Sequence, residues 1–357
     1  MATFAFFLTL FLLFLSILNY FTIKKPTDFS SVIQAIDVLI PVRNEENNIV
    51  ELISTLKAQV GTSNISFIFI NDSSTDLTAQ LIATSTAGDK RFQTISAPEL
   101  PAGWLGKPWA LQQGYKIAQG EILVTLDADV RLAPHAIASA VNLLNSSTLD
   151  FISPYPKQIA GTFAERLIQP LLQWSWLTTV PLFIAEKSTR PSLAVANGQF
   201  FLVKRSALAS ISGFQSNSNQ ILDDMELARA LMKSGAHGSV VNGSGIATTH
   251  MYSNFSELRA GYSKSLWKAF GNQFGALFVV AFLFISSIYP LLLALNFHPL
   301  GFLALEAIIA SRLISARISR SNFLDSLLHP LSAIFLIYLI GYSWKNKNNH
   351  QWKGRTV

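Results

Sequence analysis

No charged side chain occurs between Ala2 and Ile23, and the run ends at Lys24–Lys25. An apolar stretch of that length crosses a membrane only as a helix, because lipid offers backbone polar groups no other partner. A secretory signal places positive charge before its apolar core and small residues at a cleavage site. Here the lysines follow the core and no such site is evident. Residues 1–25 therefore read as a retained anchor, with Lys24 and Lys25 on the cytoplasmic side. This predicts a multi-pass protein of the cell (inner) membrane whose domain, residues 27–270, is cytoplasmic.

A second apolar region fills 271–343. Phe274 to Phe297 reads as a crossing, and so does Phe323 to Tyr342, which His329–Pro330 interrupts. Leu300 to Ile318 carries Glu306, Arg312 and Arg317, so it either spans with its ends snorkelling or lies in the interface. Arg312, Arg317 and Arg320 ask to be cytoplasmic, and so does the basic tail 344–357 with Lys345, Lys347, Lys353 and Arg355. Three crossings cannot satisfy both groups. Two crossings and a cytoplasmic tail can.

Only 13% of the residues are charged, against about 25% in typical soluble domains, which agrees with several membrane segments. With no cysteine, a disulfide framework, a thiolate metal site and a cysteine nucleophile are excluded. The net charge of +6 sits largely beside the apolar segments and reads as topology charge. No nucleic-acid-binding signature accompanies it, so no nucleic-acid partner is expected.

Between the apolar ends the pattern changes to alternating strands and helices. Ile36 to Ile40 is a short apolar strand that stops at Pro41, and Ile49, Ile53 and Leu56 follow at helical spacing. Ile65 to Ile70 is a second strand, closed by Asn71–Asp72–Ser73–Ser74–Thr75–Asp76, whose polar residues cap a following helix. Ile95 begins a third strand, Trp109 to Ala118 reads as a helix, and Ile122 to Leu126 is a buried strand. The alternation predicts an α/β domain with a mainly parallel sheet covered by helices.

The strand Ile122–Leu126 ends in Asp127–Ala128–Asp129. Ligands of open α/β sheets bind beyond the carboxyl ends of the strands. In extended backbone, positions i and i+2 point to the same side, so both carboxylates can converge on one hard cation. A strand leaving the core through two solvated or capping aspartates fits the same residues. Two earlier strands also end in acidic or amide-rich turns, at Asn44–Glu45 and at Asp72.

In order along the chain stand Pro41–Val42–Arg43–Asn44–Glu45–Glu46, Asn71 to Asp76, Asp127–Ala128–Asp129, and Ile221–Leu222–Asp223–Asp224–Met225–Glu226–Leu227. Together these motifs, over Asp37 to Gly271, resemble a family-2, inverting glycosyltransferase of GT-A (Rossmann-like) fold. Gly103–Trp104–Leu105–Gly106–Lys107–Pro108–Trp109–Ala110, with Trp352–Lys353–Gly354–Arg355, is similar to the membrane-bound subgroup of hopanoid and carotenoid pathways, the diaponeurosporenoate glycosyltransferase type.

The resemblance implies that Pro41, Arg43 and Glu45 line the nucleoside pocket and that Asp72 accepts a hydrogen bond from the base. Asp72 and Asp76 also suit a turn or N-cap pair. Asp129 is the leading ligand of Mg2+ or Mn2+, with Asp127 on ribose or metal. Lys107 reaches the nucleotide or is a solvated lysine. Asp224 is the general base, oriented by Asp223, and the pair also suits the cap of the helix that follows. Asn197, Gly198, Gln199 and Phe200 fall in the acceptor loop, although paired phenylalanines equally suit a core. His250 is a further metal candidate and Lys264 a further diphosphate contact. A Gln-x-x-Arg-Trp motif is absent in its usual form, which counts against a processive polymer synthase. Arg166 to Phe183, with Trp174 and Trp176, reads as an interfacial or acceptor-groove helix, or as a buried one.

The expected function is transfer of one sugar from a UDP- or GDP-sugar to a lipid acceptor, such as a carotenoid, a hopanoid or another isoprenoid. A polyisoprenyl-phosphate sugar transferase shares the same donor site. A transporter or channel subunit with a nucleotide-binding regulatory domain is the alternative of a different class.

Overall fold

The computed structural model describes residues 1–347, 351–352 and 355–356. Lys353 and Gly354 of the expected tail lie outside the described residues. The chain divides into two units: Lys24–Lys157 with Ile184–Thr249, and Met1–Ile23 with Gln158–Phe183 and His250–Val357. The domain expected over 27–270 is thus not one continuous block, because 158–183 and 250–270 group with the apolar helices.

The first unit holds the strands β1 (Ile36–Val42), β2 (Ile65–Asn71), β3 (Phe92–Ser96), β4 (Ile122–Leu126), β5 (Val130–Leu132) and β6 (Phe151–Tyr155). After β7 (Lys157–Gln158) come β8 (Phe200–Lys204), β9 (Gly238–Asn242) and β10 (Ala247–Thr249). Seven of them form one sheet in the order β3-β2-β1-β4-β8-β6-β9. Every pairing in it is parallel except those of β8, which runs antiparallel to β4 and β6. The mainly parallel α/β sheet predicted from the alternation is therefore present.

Burial explains the register. The central strands β1 and β4 are buried almost throughout, as expected for strands covered on both faces. Val38, Ile40, Phe67, Phe69 and Val124 pack into one core layer, and Leu39, Ile68, Ile70 and Leu123 into the other. The third strand begins at Phe92, earlier than Ile95, because the Phe92 ring stacks on Phe67 at 4.8 Å and extends the pairing with β2. Asp37, which carried no expectation, is structural. Its Oδ2 accepts from the backbone N–H groups of Gln119 (2.6 Å) and Gly120 (2.7 Å), fixing the chain where it enters β4.

The second unit contains four helical segments long and apolar enough to cross a membrane: Ala2–Thr22, Gln273–Leu295, Pro299–Ser319 and Phe323–Lys345. It buries an apolar core that includes Leu12, Trp174 and Leu339, yet exposes many large apolar side chains as well. On Ala2–Thr22 the large side chains Phe4, Phe7, Phe11 and Phe14 face outward, while Ala5, Thr9, Ser16 and Asn19 face inward. Small and polar residues at helix contacts are how helices pack in lipid, where apolar surface gains nothing by being hidden. Asn19 shows this directly. Its Nδ2 donates to the carbonyls of Leu177 (2.8 Å) and Val180 (2.7 Å), and its Oδ1 accepts from Leu182 N–H.

All three apolar segments of the C-terminal region are long and apolar enough to cross a membrane, Pro299–Ser319 included. Arg312 is no topology charge: it is 2% exposed inside the unit and interacts electrostatically with Asp325, which also binds Arg166 at 2.5 Å. The segment read from Arg166 to Phe183 forms the helix Phe163–Thr179, opened by a Thr162/Glu165 capping box. Its Trp174 is buried and donates to Ser311 Oγ at 2.8 Å, so this indole follows the buried alternative.

Replacing Asp37 by Ala leaves one buried and one part-buried N–H group without a charged acceptor, which costs about 2–3 kcal/mol. The Asp37→Ala protein is expected to melt roughly 4–8 °C lower in detergent; an unchanged melting temperature would remove Asp37 from this structural role.

Candidate active site

The carboxyl ends of β1, β2 and β4 carry the acidic loops, as parallel strands require. The first two loops interlock. Asn44 (φ 52°) and Ser73 (φ 55°) turn through the left-handed region, and each turn is held by the other loop. Asn44 N–H donates to Ser74 Oγ (3.1 Å), Asn44 Oδ1 accepts from Thr75 N–H (2.9 Å), and Glu45 N–H donates to Thr78 Oγ1 (2.7 Å). Arg43 reaches across to the carbonyls of Asp72 (2.6 Å) and Ser73 (3.3 Å). Pro41 lies within β1, and Asp72 is buried at 3% exposure. Asp76 accepts from the N–H groups of Glu46 and Thr78, so it serves the turn and the helix start.

The third loop and the residues after Leu222 come together around one ammonium group. Lys107 Nζ lies 2.7 Å from Asp127 Oδ1 and 3.8 Å from Asp223 Oδ2. Burial works against its charge, but Asp127 and then Asp223 outweigh that, and its pKa is pushed up. Lys107 is thus no solvated surface lysine; its side chain is only 21% exposed. It stands in the first turn of the helix Gly106–Ile117, which extends three residues N-terminal of the predicted start. Leu105 N–H anchors that start by donating to Ser218 O at 2.7 Å.

The carboxylates differ in how they are held. Asp224 opens the helix Asp223–Lys233 and accepts from Gly198 N–H at 2.7 Å and Met225 N–H at 2.8 Å. Burial and then the neighbouring Asp223 charge nevertheless push its carboxyl up to about 6. Asp129 is pushed up to about 6 by burial and by Asp127, with a Thr249 hydrogen bond working the other way. Burial also raises Asp127, with Lys107 opposing. Asp223 and Asp224 begin the helix Asp223–Lys233, where the capping alternative placed them, and they also face Lys107.

The loop before β8 supports this cluster. Asn197 and Gln199 brace each other, with Gln199 N–H donating to Asn197 Oδ1 (2.8 Å) and Asn197 Nδ2 to Gln199 Oε1 (3.1 Å). Asp127 N–H donates to Gln199 O (3.0 Å), which ties the Asp-x-Asp turn to this loop. Gly198 has no side chain for a reason: a Cβ there would lie 3.0 Å from Asp224 Cβ and 3.2 Å from Lys107 Nζ. Phe200 does not fit an acceptor site. It is 0% exposed in the core beside β4, and Phe201 stacks on Phe151 on the other sheet face.

His250 belongs to the other unit, where its Nε2 lies 3.5 Å from Glu165 Oε1. Among the described residues no three His, Asp or Glu side chains form a ready metal cluster. Lys264 lies on the helix Phe255–Ala269 of that unit. Several contributors were missed by sequence reasoning. Ser153 exchanges hydrogen bonds with the Asn197 backbone, Tyr155 is buried beside Asn197, and Asn217 donates to Asp223 O at 2.9 Å. Asn217 sits in a polar run, Gln215 to Gln220, that carries no motif.

Residues 37–212 match the family model described as glycosyl transferase family 2. The 4,4'-diaponeurosporenoate glycosyltransferase of Staphylococcus aureus (strain USA300) is 25% identical over 338 residues, covering 90% of this chain and 88% of its own length. A probable glycosyltransferase of Sulfolobus acidocaldarius is 24% identical over 212 residues, 57% of this chain, and the match spans 44% of the relative's length. Among solved structures, a mannosyltransferase from Pyrobaculum calidifontis in complex with GDP-Man and Mn2+ superposes with a TM-score of 0.57 at 16% identity, covering 98% of this chain and 99% of its own. That likeness concerns the fold. With the ordered motifs, the mainly parallel sheet and the family match agreeing, residues 37–212 form a glycosyl transferase family 2 domain of GT-A fold, the domain of enzymes that use nucleotide-sugar donors.

Proposed function

We propose that the chain transfers a single sugar, with inversion, from a nucleoside diphosphate sugar to a hydroxyl or carboxylate of a membrane lipid. The observation that carries this reading is the shared charge cluster. Asp127 and Asp129 lie at the end of β4, Asp223 and Asp224 open the helix Asp223–Lys233, and one lysine faces both pairs.

Asp224 suits the general base. Two backbone N–H groups fix its carboxylate, and a carboxyl pushed up to about 6 is more basic than an ordinary aspartate yet still ionised at pH 7. Asp223 maintains that basicity by like-charge repulsion. Arg43, Glu45 and Asp72 are assigned to the nucleoside, and Asn197, Gly198 and Gln199 to the acceptor side.

Asp129 and Asp127 suit a divalent cation. Their oxygens are hard donors, and after burial the Asp127 charge raises Asp129 while Asp223 and Glu45 raise Asp127, an excess of negative charge that a cation relieves. When bound, Mg2+ or Mn2+ neutralises the leaving diphosphate. Mn2+ accompanies the donor in the Pyrobaculum mannosyltransferase. Mg2+ and Mn2+ commonly take one or two carboxylates and complete their shell with phosphate oxygens and water, which two aspartates suit.

The lipid acceptor rests on the four candidate spans and on the 90% coverage by the diaponeurosporenoate glycosyltransferase. Lys24 and Lys25 after the first span favour a cytoplasmic catalytic unit. A transporter or channel subunit is set aside by the family match. A polyisoprenyl phosphate as the acceptor would instead appear as an acid-labile phosphodiester product in membrane extracts.

Asp129→Ala is expected to abolish Mn2+-dependent donor binding by calorimetry. Asp224→Asn is expected to keep donor binding and lose transfer by about 10²–10⁴-fold. Full transfer by Asp224→Asn would sink the base assignment. Because the base must be ionised, kcat/KM for the metal–donor complex, which reports the free enzyme, should fall at least tenfold per pH unit below about pH 6; a kcat/KM still flat at pH 5 contradicts a base with a raised pKa.

A further inference from the structure

We propose that Lys107 is a resident counter-ion with two seats, and that it leaves Asp127 for Asp223 and Asn217 when a divalent cation occupies the Asp127–Asp129 pair. The proposal rests on the reading of that pair as the cation anchor.

The first seat is occupied. Lys107 Nζ is 2.7 Å from Asp127 Oδ1, within hydrogen-bonding range, and only 3.8 Å from Asp223 Oδ2. An ammonium and a divalent cation on one carboxylate repel strongly in a partly buried site, where screening is weak. One of them must move, and a lysine on a flexible four-carbon stem is built to do so.

The second seat is already formed. A cavity of about 10 Å³, near the lower limit for one water, is lined by Lys107, Thr125, Gly198, Asn217, Asp223 and Asp224 among others. An ammonium group is of similar size. Asn217 is 1% exposed, and its amide is oriented because Nδ2 donates to Asp223 O at 2.9 Å. Its Oδ1 is buried and accepts no hydrogen bond. A buried acceptor without a donor costs stability unless another state uses it. Lys107 lines the same cavity, and its Nζ, a three-proton donor, is that donor in the second seat. Gly198 keeps the way clear, since a Cβ there would lie 3.2 Å from Nζ.

The exchange links the two halves of the reaction. With the first seat taken by the donor's cation, the lysine's charge lies against Asp223 and Asp224. The base side then draws its counter-ion in from 3.8 Å to contact only once the donor side is loaded. A lysine fixed permanently on Asp127 would give no such order.

The test titrates Mn2+ into the purified full chain without nucleotide and reads free Mn2+ by electron paramagnetic resonance. Lys107→Gln removes the competing ammonium and is expected to bind Mn2+ about tenfold more tightly than wild type, whereas Lys107→Arg stays near wild type. Asn217→Leu changes no charge but spoils the second seat, and is expected to weaken Mn2+ binding about threefold; in the Lys107→Gln background that effect disappears. Equal affinity for wild type and Lys107→Gln overturns the proposal. An Asn217→Leu effect that persists without Lys107 overturns it too, and the Asn217→Leu comparison with wild type decides alone if Lys107→Gln does not fold. Mn2+ affinity unaltered in Asp129→Ala refutes the cation anchor itself, which separates the failure of that reading from the failure of the exchange.

Discussion

Everything at this site follows from four carboxylates gathered around one ammonium group. Asp127, Asp129, Asp223 and Asp224 come from two distant stretches of sequence, and Lys107 stands between them. Without that cation the cluster would be an uncompensated set of partly buried charges, which proteins avoid. With it, the site still holds more negative than positive charge. Asp129 and Asp224 are each at about 6, against 3.8 for an ordinary aspartate. A folded-state pKa above the unfolded value means that the charged carboxylate opposes folding. That penalty is fully present above pH 6 and is relieved as pH falls toward 3.8. Functional sites concentrate such shifts. Here the excess charge is what suits the site to a divalent cation and to taking up a proton.

The fold was largely legible in the sequence because its signals are local. Strands β1, β2 and β4 are unbroken apolar runs, and each ends at a polar turn that the sheet brings to one rim. Phe92 was missed because its reason for being in a strand is a ring on a neighbouring strand. The acidic residues were legible as motifs, but their partners were not. Gly198, Asn217 and Tyr155 matter through contacts across long sequence separations, which periodicity does not encode. Phe200 shows the opposite error: a residue beside a functional loop was given a functional role, yet strand alternation sends it into the core.

The membrane-candidate helices follow a different rule from the sheet unit. In the sheet unit apolar residues point inward. In the other unit many large apolar residues point outward around a smaller apolar core, and serines, Asn19, Arg312 and His329 are buried with that core. Charge counting treated Arg312 as a marker of membrane side, and its burial with Asp325 nearby removes it from that count. Trp174 was open between the interface and the interior, and its bond to Ser311 decides for the interior.

The central claim is a single displacement driven by Asp224 on a donor anchored at Asp127 and Asp129. Its most direct test is the anomeric configuration of the glycolipid formed from an α-linked, 13C1-labelled UDP-glucose or GDP-mannose, read by NMR of the product. The account predicts a β-linked product from the α-linked donor. An α-linked product would contradict it, because retention requires chemistry that one base opposite the leaving group does not perform.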